Sequence, residues 1–313
     1  MIQDKKIAVI IPCYKAAMHI AQVIQTLPAT LDHILIIDDA CPERSGQVAK
    51  EYLDHRGEII RHGKNQGVGG AMITGYERAL ALEADIIIKM DGDDQMDSHY
   101  LPTLIEPLLN GEATYTKGNR FYDLEKLKEM PKSRLFGNSF LSFLVKLVSG
   151  YWNLMDPTNG YTAITRETLA QLPLRRIAKR YFFETDMLIH LNIYRQVVKD
   201  IPIPARYLNE HSNLRIWSII KDFPPKLIKG LMRRIFYRYY LYDFNMASIY
   251  LLLALPLLTF GTGFGTYHWI FGSLQDTLNS AGTVMLSALP IILGMQFLLQ
   301  AIDIDIRSVP TNK

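Results

Sequence analysis

Ile86-Ile-Ile-Lys-Met-Asp91-Gly-Asp93-Asp94-Gln95 decides how this chain is read. An apolar run of strand length ends abruptly in Asp91, Asp93 and Asp94. A strand that is apolar on both faces belongs in a parallel sheet covered by helices on both sides. In such sheets ligands bind outside the carboxyl ends of the strands, where these acids lie. Packing does not explain them. Two carboxylates at i and i+2, leaving a strand end together, can hold a hard divalent cation, Mg²⁺ or Mn²⁺, beside phosphate oxygens. Such a cation neutralises a diphosphate leaving group. The alternative is a solvated acidic loop.

Working outward, residues 7–117 alternate short apolar runs with helical patterns. Strands are expected at Ile7–Ile11, Ile34–Ile37, Glu58–Arg61, Ile86–Met90 and Ala113–Lys117. Helices are expected at Met18–Leu27, Gly46–Leu53, Gly67–Leu82 and Tyr100–Leu109. The alternation predicts an α/β fold with a Rossmann-like, mostly parallel sheet and helices on both faces. Residues 119–210 are less regular. They hold an apolar helix (Phe136–Val148), a turn (Asp156–Gly160), a helix from Glu184 to Tyr194 and a strand at Val197–Ile203.

Two further motifs lie at strand ends. Ile36-Ile-Asp38-Asp39-Ala40 places an acidic pair where a carboxylate can accept hydrogen bonds from a ribose or a base N–H. A helix-capping or turn aspartate is the other reading. Asn65-Gln66-Gly67-Val68-Gly69-Gly70-Ala71 fails as a dinucleotide fingerprint. Met72 stands where the third glycine belongs, and the segment follows the third strand, not the first. Its small residues suit close backbone approach to a ligand or a neighbouring strand.

The C-terminal part has a different character. No Asp, Glu, Lys or Arg occurs between Asp243 and Asp276, nor between Asp276 and Asp303. Met246–Phe264 and Ala281–Ala301 are each long enough to span roughly 30 Å of hydrocarbon; buried core helices are the alternative. Pro256 and Pro290 are tolerated better in spans than in soluble helices. Lys and Arg precede the first span and follow the second, while the loop between carries none, so both ends are expected in the cytoplasm. Before the first span, Leu227, Ile228, Leu231, Ile235 and Phe236 fall on one helical face beside Lys226, Lys229, Arg233 and Arg234. A basic amphipathic helix there is expected to lie in the headgroup plane, with packing on the soluble domain as the alternative. The expected domains are a cytosolic catalytic domain (1–212), juxtamembrane amphipathic helices (213–243), two transmembrane helices (244–303) and a cytoplasmic tail (304–313).

Composition excludes several classes. A net charge of +3 over 313 residues is too small to imply nucleic acid. Cys13 and Cys41 form neither a metal-type spacing nor a disulfide framework, which fits a reducing compartment. The polar segment 1–6 does not read as a signal peptide.

Pro12-Cys-Tyr14, Asp38-Asp39, Asn65-x-Gly67-x-Gly69 and Asp91-Gly-Asp93-Asp-Gln95 occur in order. Together they resemble the family-2 glycosyltransferases of the GT-A fold. Asp156-Pro-Thr-Asn-Gly160-Tyr161 and Tyr181-Phe-Phe-Glu184-Thr-Asp186 extend the resemblance to about residue 210, and the two spans narrow it to the polyprenyl-phosphate glycosyltransferases. The resemblance implies a nucleotide-sugar donor, taken as a UDP-sugar, and an undecaprenyl or dolichyl phosphate acceptor at the cytoplasmic face of the inner (plasma) membrane. It implies that Asp91 and Asp93 form a D-x-D metal motif for Mg²⁺ or Mn²⁺. Pro12, Tyr14 and Asp39 would contact the nucleotide, with Asp38, Asn65, Asp91 and Gln95 on the same side. Asp156, Glu184 and Asp186 would line the acceptor side. Asp94 departs from the glycine often found at that position, and Lys15-Ala16 from the family's frequent Asn-Glu.

A polyprenyl phosphate is mostly dianionic at neutral pH, because its second pKa is about 6. It needs no strong general base. What is needed is leaving-group stabilisation and cations that hold two mutually repelling anions, a role expected of Arg206 and Arg215. Their alternative is ordinary surface arginine. In-line attack inverts the anomeric carbon. A processive polysaccharide synthase is the competing enzyme, though it would need more spans and a Gln-x-x-Arg-Trp motif. A membrane-tethered nucleotide-binding scaffold is the competing non-enzyme, and the oligomeric state, a homo-oligomer included, stays open.

Overall fold

The computed structural model describes residues 4–122, 132–204 and 216–312. Strands β1 (Ile7–Cys13), β2 (His33–Asp38), β3 (Gly57–Arg61), β4 (Ile86–Lys89), β5 (Tyr115–Asn119), β6 (Thr162–Thr165) and β7 (Val198–Pro202) form one sheet in the order β3-β2-β1-β4-β6-β5-β7. The helices are α1 (Ile20–Thr26), α2 (Ser45–Tyr52), α3 (Val68–Ala81), α4 (Leu101–Leu109), α5 (Lys132–Ser149), α6 (Arg166–Gln171), α7 (Phe183–Ile193) and α8 (Ile216–Ile235), then α9 (Met246–Leu274) and α10 (Ala281–Arg307). The chain divides into two compact units, residues 1–234 with 310–313, and residues 235–309.

The alternation over the first unit matches its sequence, and the apolar strands are buried as a covered sheet requires. Ile7, Val9 and Ile11 point to one face and Ala8 and Ile10 to the other, all fully buried. Burying each such isoleucine contributes about 1.5–3 kcal/mol. One strand went unread. Thr162–Thr165 is antiparallel to both β4 and β5 and sits between them, so the sheet is mostly rather than wholly parallel. Four residues with two threonines carry almost no hydrophobic period of their own. The consequence is positional. An antiparallel strand brings the segment that precedes it, residues 156–161, to the edge where the parallel strands end.

Helix α8 departs from the expected interfacial face. Leu227 and Arg234 are buried, and a Cβ on Gly230 would press on Ile189 of α7. Ile228, by contrast, is 64% exposed and Met232 60%. The five apolar residues read as one face are therefore divided. One side of the described part packs on the sheet-bearing unit, which was the alternative reading. The other side keeps Ile228, Met232 and Lys229 outward.

In the second unit α9 and α10 pair as a helical hairpin. Gly294 lies against Leu258 and the Ala254 carbonyl, and Gly261 against Ile291. Small residues let the two backbones approach closely. The helices run past the expected spans by about ten residues at Leu274 and six at Arg307, near 1.5 Å each. Outward-facing Leu252, Leu255, Phe260, Leu286 and Ile292 leave their apolar surface uncovered. A segment of π-helix, Phe236–Tyr242, precedes them, tied down by Tyr239, whose hydroxyl donates to Asp305 at 2.5 Å.

Candidate functional site

The parallel strands β1, β2, β4 and β5 all end on one edge, and the site is assembled there. Lys89, the last residue of β4, is 1% exposed. Its ammonium donates to Asp91 Oδ1 at 2.8 Å and to the Gly160 carbonyl at 3.1 Å, and Glu184 Oε1 lies 3.5 Å away. Burial alone would pull the Lys89 pKa down; Asp91 and Glu184 outweigh it and hold it above the ordinary lysine value. The acidic strand end and the first turn of α7 are thus joined through one buried cation. A Cβ on Gly160 would come within 3.0 Å of Asp91 Oδ2 and closer still to Lys89 Nζ, so any side chain there would displace that pair.

The loop after Asp91 is shaped by its own hydrogen bonds. Asp93 Oδ1 accepts from Gln95 N at 3.1 Å, and Asp94 adopts φ +60°. That left-handed conformation explains why glycine often serves at this position, and aspartate is among the residues that tolerate it. Gln95 is exposed. Asp91 and Asp93 offer hard carboxylate oxygens, the chemistry that Mg²⁺ or Mn²⁺ takes. No group of three or more His, Cys, Asp or Glu side chains forms a metal cage among the described residues. The pair therefore fits a cation whose shell is completed by phosphate oxygens, not a self-contained metal centre.

The second strand end serves the chain itself. Asp38 is 2% exposed and its Oδ1 accepts from Cys41 N at 2.8 Å, which is the turn role weighed against nucleotide contact. Asp39 is equally buried. Its carboxylate meets His62 Nδ1 at 2.7 Å and accepts from Gln66 N at 2.8 Å and Gly67 N at 2.7 Å. Asn65 Nδ2 donates to the Asp39 carbonyl at 3.3 Å. Asp39 thus shapes the 62–67 loop instead of standing open to solvent. Tyr14, 48% exposed, presents its ring at the end of β1, and Pro12 is half-buried.

Of the residues expected on the acceptor side, Glu184 is partly exposed and lies 3.5 Å from Lys89, while the other two are buried. Asp156 is fully buried and grips Arg120, accepting from Nε at 2.7 Å and Nη2 at 3.2 Å. Asp186, 4% exposed, accepts from Ala178 N at 2.8 Å and from Arg233 Nη2. Arg206 and Arg215 lie outside the described residues.

Three basic residues that the sequence did not single out belong here. Lys89 sits inside an apolar run, which marked it as strand and nothing more. Lys117 is wholly buried and donates to the Asn159 carbonyl; burial pushes its pKa down to about 8, against the pull of Glu184 and Asp156. Arg120 follows the last residue of β5, with its side chain 38% exposed. Its signal was available: a cation directly after a strand, on the ligand-binding edge.

A strand-end carboxylate pair on a mostly parallel sheet, backed by a buried lysine and flanked by a held arginine, is a site whose charges suit a divalent cation and phosphate oxygens. The sequence profile of glycosyl transferase family 2 matches residues 8–172, and the chain belongs to that family. It is 30% identical over 235 residues, 70% of this chain and 93% of the relative, to the UDP-N-acetylglucosamine–dolichyl-phosphate N-acetylglucosaminyltransferase of Methanococcus voltae. It is 28% identical to the undecaprenyl-phosphate mannosyltransferase of Micrococcus luteus, over 63% of this chain and 82% of that one. The fold resembles glucosyl-3-phosphoglycerate synthase from Mycobacterium tuberculosis, solved with Mn²⁺ and uridine diphosphate. The TM-score is 0.55 at 19% identity, covering 74% of this chain and 80% of that one.

Proposed function

We propose that this chain transfers a sugar from a nucleotide-sugar donor, a UDP-sugar, to a polyprenyl phosphate, undecaprenyl or dolichyl, at the cytoplasmic face of a membrane. The observation that carries the reading is the Lys89 junction, which sets the donor-side carboxylate Asp91 and the acceptor-side carboxylate Glu184 about one cation. The relatives named for dolichyl- and undecaprenyl-phosphate transfer support the acceptor class. The two uncovered apolar helices support membrane attachment.

The carboxylates Asp91 and Asp93 would hold the divalent cation, Mg²⁺ or Mn²⁺, which supplies charge neutralisation at a departing diphosphate. Lys89 aims Asp91 through its 2.8 Å hydrogen bond. Tyr14 and the loop built by Asp39 receive the nucleoside. Arg120, oriented by buried Asp156, is the described cation best placed to hold the acceptor phosphate beside the donor; Arg206 and Arg215 keep the role that their sequence gives them. The acceptor phosphate oxygen forms the new bond to the anomeric carbon as the bond to the diphosphate breaks, with inversion. No side chain has to remove a proton from a phosphate dianion.

The test offers a radiolabelled donor to the full chain, with polyprenyl phosphate or with free sugar acceptors. Label in a chloroform-extractable lipid is the expected result. Label entering only polysaccharide or protein would overturn the acceptor and leave the glycosyltransferase.

A further inference from the structure

Asp186 is 4% exposed, and what it holds is informative. One carboxylate oxygen accepts from the backbone of Ala178, the other from Arg233 of α8. Ala178 and Lys179 form a strap laid against the glycine turn at the start of α3. Gly70 N donates to the Lys179 carbonyl at 2.9 Å. A Cβ on Gly67 would come within 2.7 Å of that same carbonyl, and one on Gly69 would collide with the carbonyl of Ala178. Lys179 Nζ adds a bond to Gln66 Oε1 at 3.0 Å. On its other side the turn is pinned by the Asp39 carboxylate through the amides of Gln66 and Gly67. The donor-side turn is therefore clamped between Asp39 and the strap, and Asp186 fixes the strap.

A buried carboxylate is held best when it is paired and hydrogen-bonded. Arg233 supplies the pairing from the helix that runs on toward the first span. His190, 4% exposed and in the same cluster, does not compete, because burial and Arg233 push its pKa down to about 4. We propose that Arg233 is a positioning residue for the donor site. Acting through Asp186, it holds the 178–179 strap on Gly67–Gly70, so that helix α8 and the nucleotide-side turn respond together. Neighbouring Arg234 serves a different end. It donates to the carbonyls of Val148, at 2.8 Å, and Leu147, at 3.0 Å, and closes the end of α5.

The donor consequence rests on the function proposed above; the clamp itself rests on the bonds. Both can be measured on the full chain in detergent, by hydrogen exchange of peptides spanning residues 66–72 and 176–182 and by calorimetry with UDP-sugar and Mn²⁺. Arg233→Met is expected to speed exchange in both peptides and to weaken donor binding about tenfold, as loss of one charge-assisted bond does. Arg233→Lys, a point charge without the fork, should fall between the two. Arg234→Met should lower the melting temperature and leave both peptides as in the wild type. Should Arg233→Met fail to fold, the double variant Asp186→Asn/Arg233→Met removes both charges and is read the same way. Exchange within twofold of wild type in both peptides, in whichever variant folds, overturns the proposal. If the wild type binds no nucleotide sugar, the proposed function fails, and the exchange data still decide the role of Arg233.

Discussion

Lys89 Nζ lies 2.8 Å from Asp91 Oδ1, the lysine side chain 1% exposed and the aspartate 33%. The cation is built into the sheet while its anion is a third exposed. Replacing the lysine leaves Asp91 and Glu184 facing each other without a counter-charge. Lys89→Met should destabilise the fold by about 3 kcal/mol, as breaking a buried pair does. Mn²⁺ should then raise the melting temperature of the variant more than that of the wild type, because the metal restores positive charge at Asp91. Equal Mn²⁺ shifts in the two proteins would separate Asp91 from metal binding.

Asp93 lies on the loop, away from the core, so its loss should cost chemistry and little stability. Asp93→Asn is expected to reduce transfer by on the order of 100-fold or more, the scale for losing one preorganised electrostatic contact. Its melting temperature should stay close to that of the wild type. Near-normal turnover of purified Asp93→Asn in EDTA would end the metal assignment.

Arg120 is held by Asp156, with its side chain 38% exposed. Arg120→Ala should raise the KM for polyprenyl phosphate about 10- to 100-fold, one charge-assisted contact's worth, with donor affinity changing far less. Arg120→Lys should recover only part, since a point charge cannot reproduce a bidentate fork. Steady-state kinetics with each substrate varied in turn distinguishes this from general damage, which would weaken donor and acceptor alike.

His190 gives the fold a pH dependence of known sign. Its pKa falls from the ordinary 6.5 to about 4, chiefly through burial and then through Arg233, with Asp186 opposing. The unfolded chain therefore takes up this proton first as pH drops. The stability that neutral His190 contributes is complete above about pH 6.5 and is lost as pH falls toward 4. Asp200 acts in the opposite sense, because burial pushes its pKa up to about 6 and the folded chain keeps that proton. Melting curves of wild type and His190→Gln should thus diverge from pH 6.5 down to 4, with the wild type losing more. Parallel curves would mean that His190 does not titrate on unfolding.

The proposed topology can be read with thiol reagents, since Cys13 and Cys41 are both buried. Gln275→Cys, at the turn between α9 and α10, should label only from outside sealed vesicles of cytoplasm-in orientation. Thr311→Cys should label only after permeabilisation. Labelling of both from the same side would rule out the two-span arrangement.

Local pattern was enough for the strands and helices of residues 7–117, because a covered parallel sheet writes itself as uninterrupted apolar runs such as Ile86-Ile-Ile. The two apolar C-terminal helices were equally plain, since length and absence of charge are one-dimensional properties. The carboxylates of the D-x-D loop stood out because packing gave them no reason to be there. By itself, then, the sequence determined the α/β alternation, the apolar hairpin and the acidic strand end.

What each polar side chain does was decided only in three dimensions. Asp38 and Asp39, expected on the nucleotide side with a turn role as the alternative, and Asp156 and Asp186, expected on the acceptor side, were all read as site acids. The fold buries all four and gives each a partner far away in the chain or a turn to hold, while Glu184 stays partly exposed beside Lys89. The short strand β6 had no readable period, yet its antiparallel insertion delivers Gly160 to Lys89. Arg233 read as one charge on a basic helix and became the partner of an acid 47 residues earlier. Hydrophobic period is a local property that burial imposes on neighbours in sequence. Desolvation and pairing of charge depend on which distant segments meet, and only the tertiary structure brings them together.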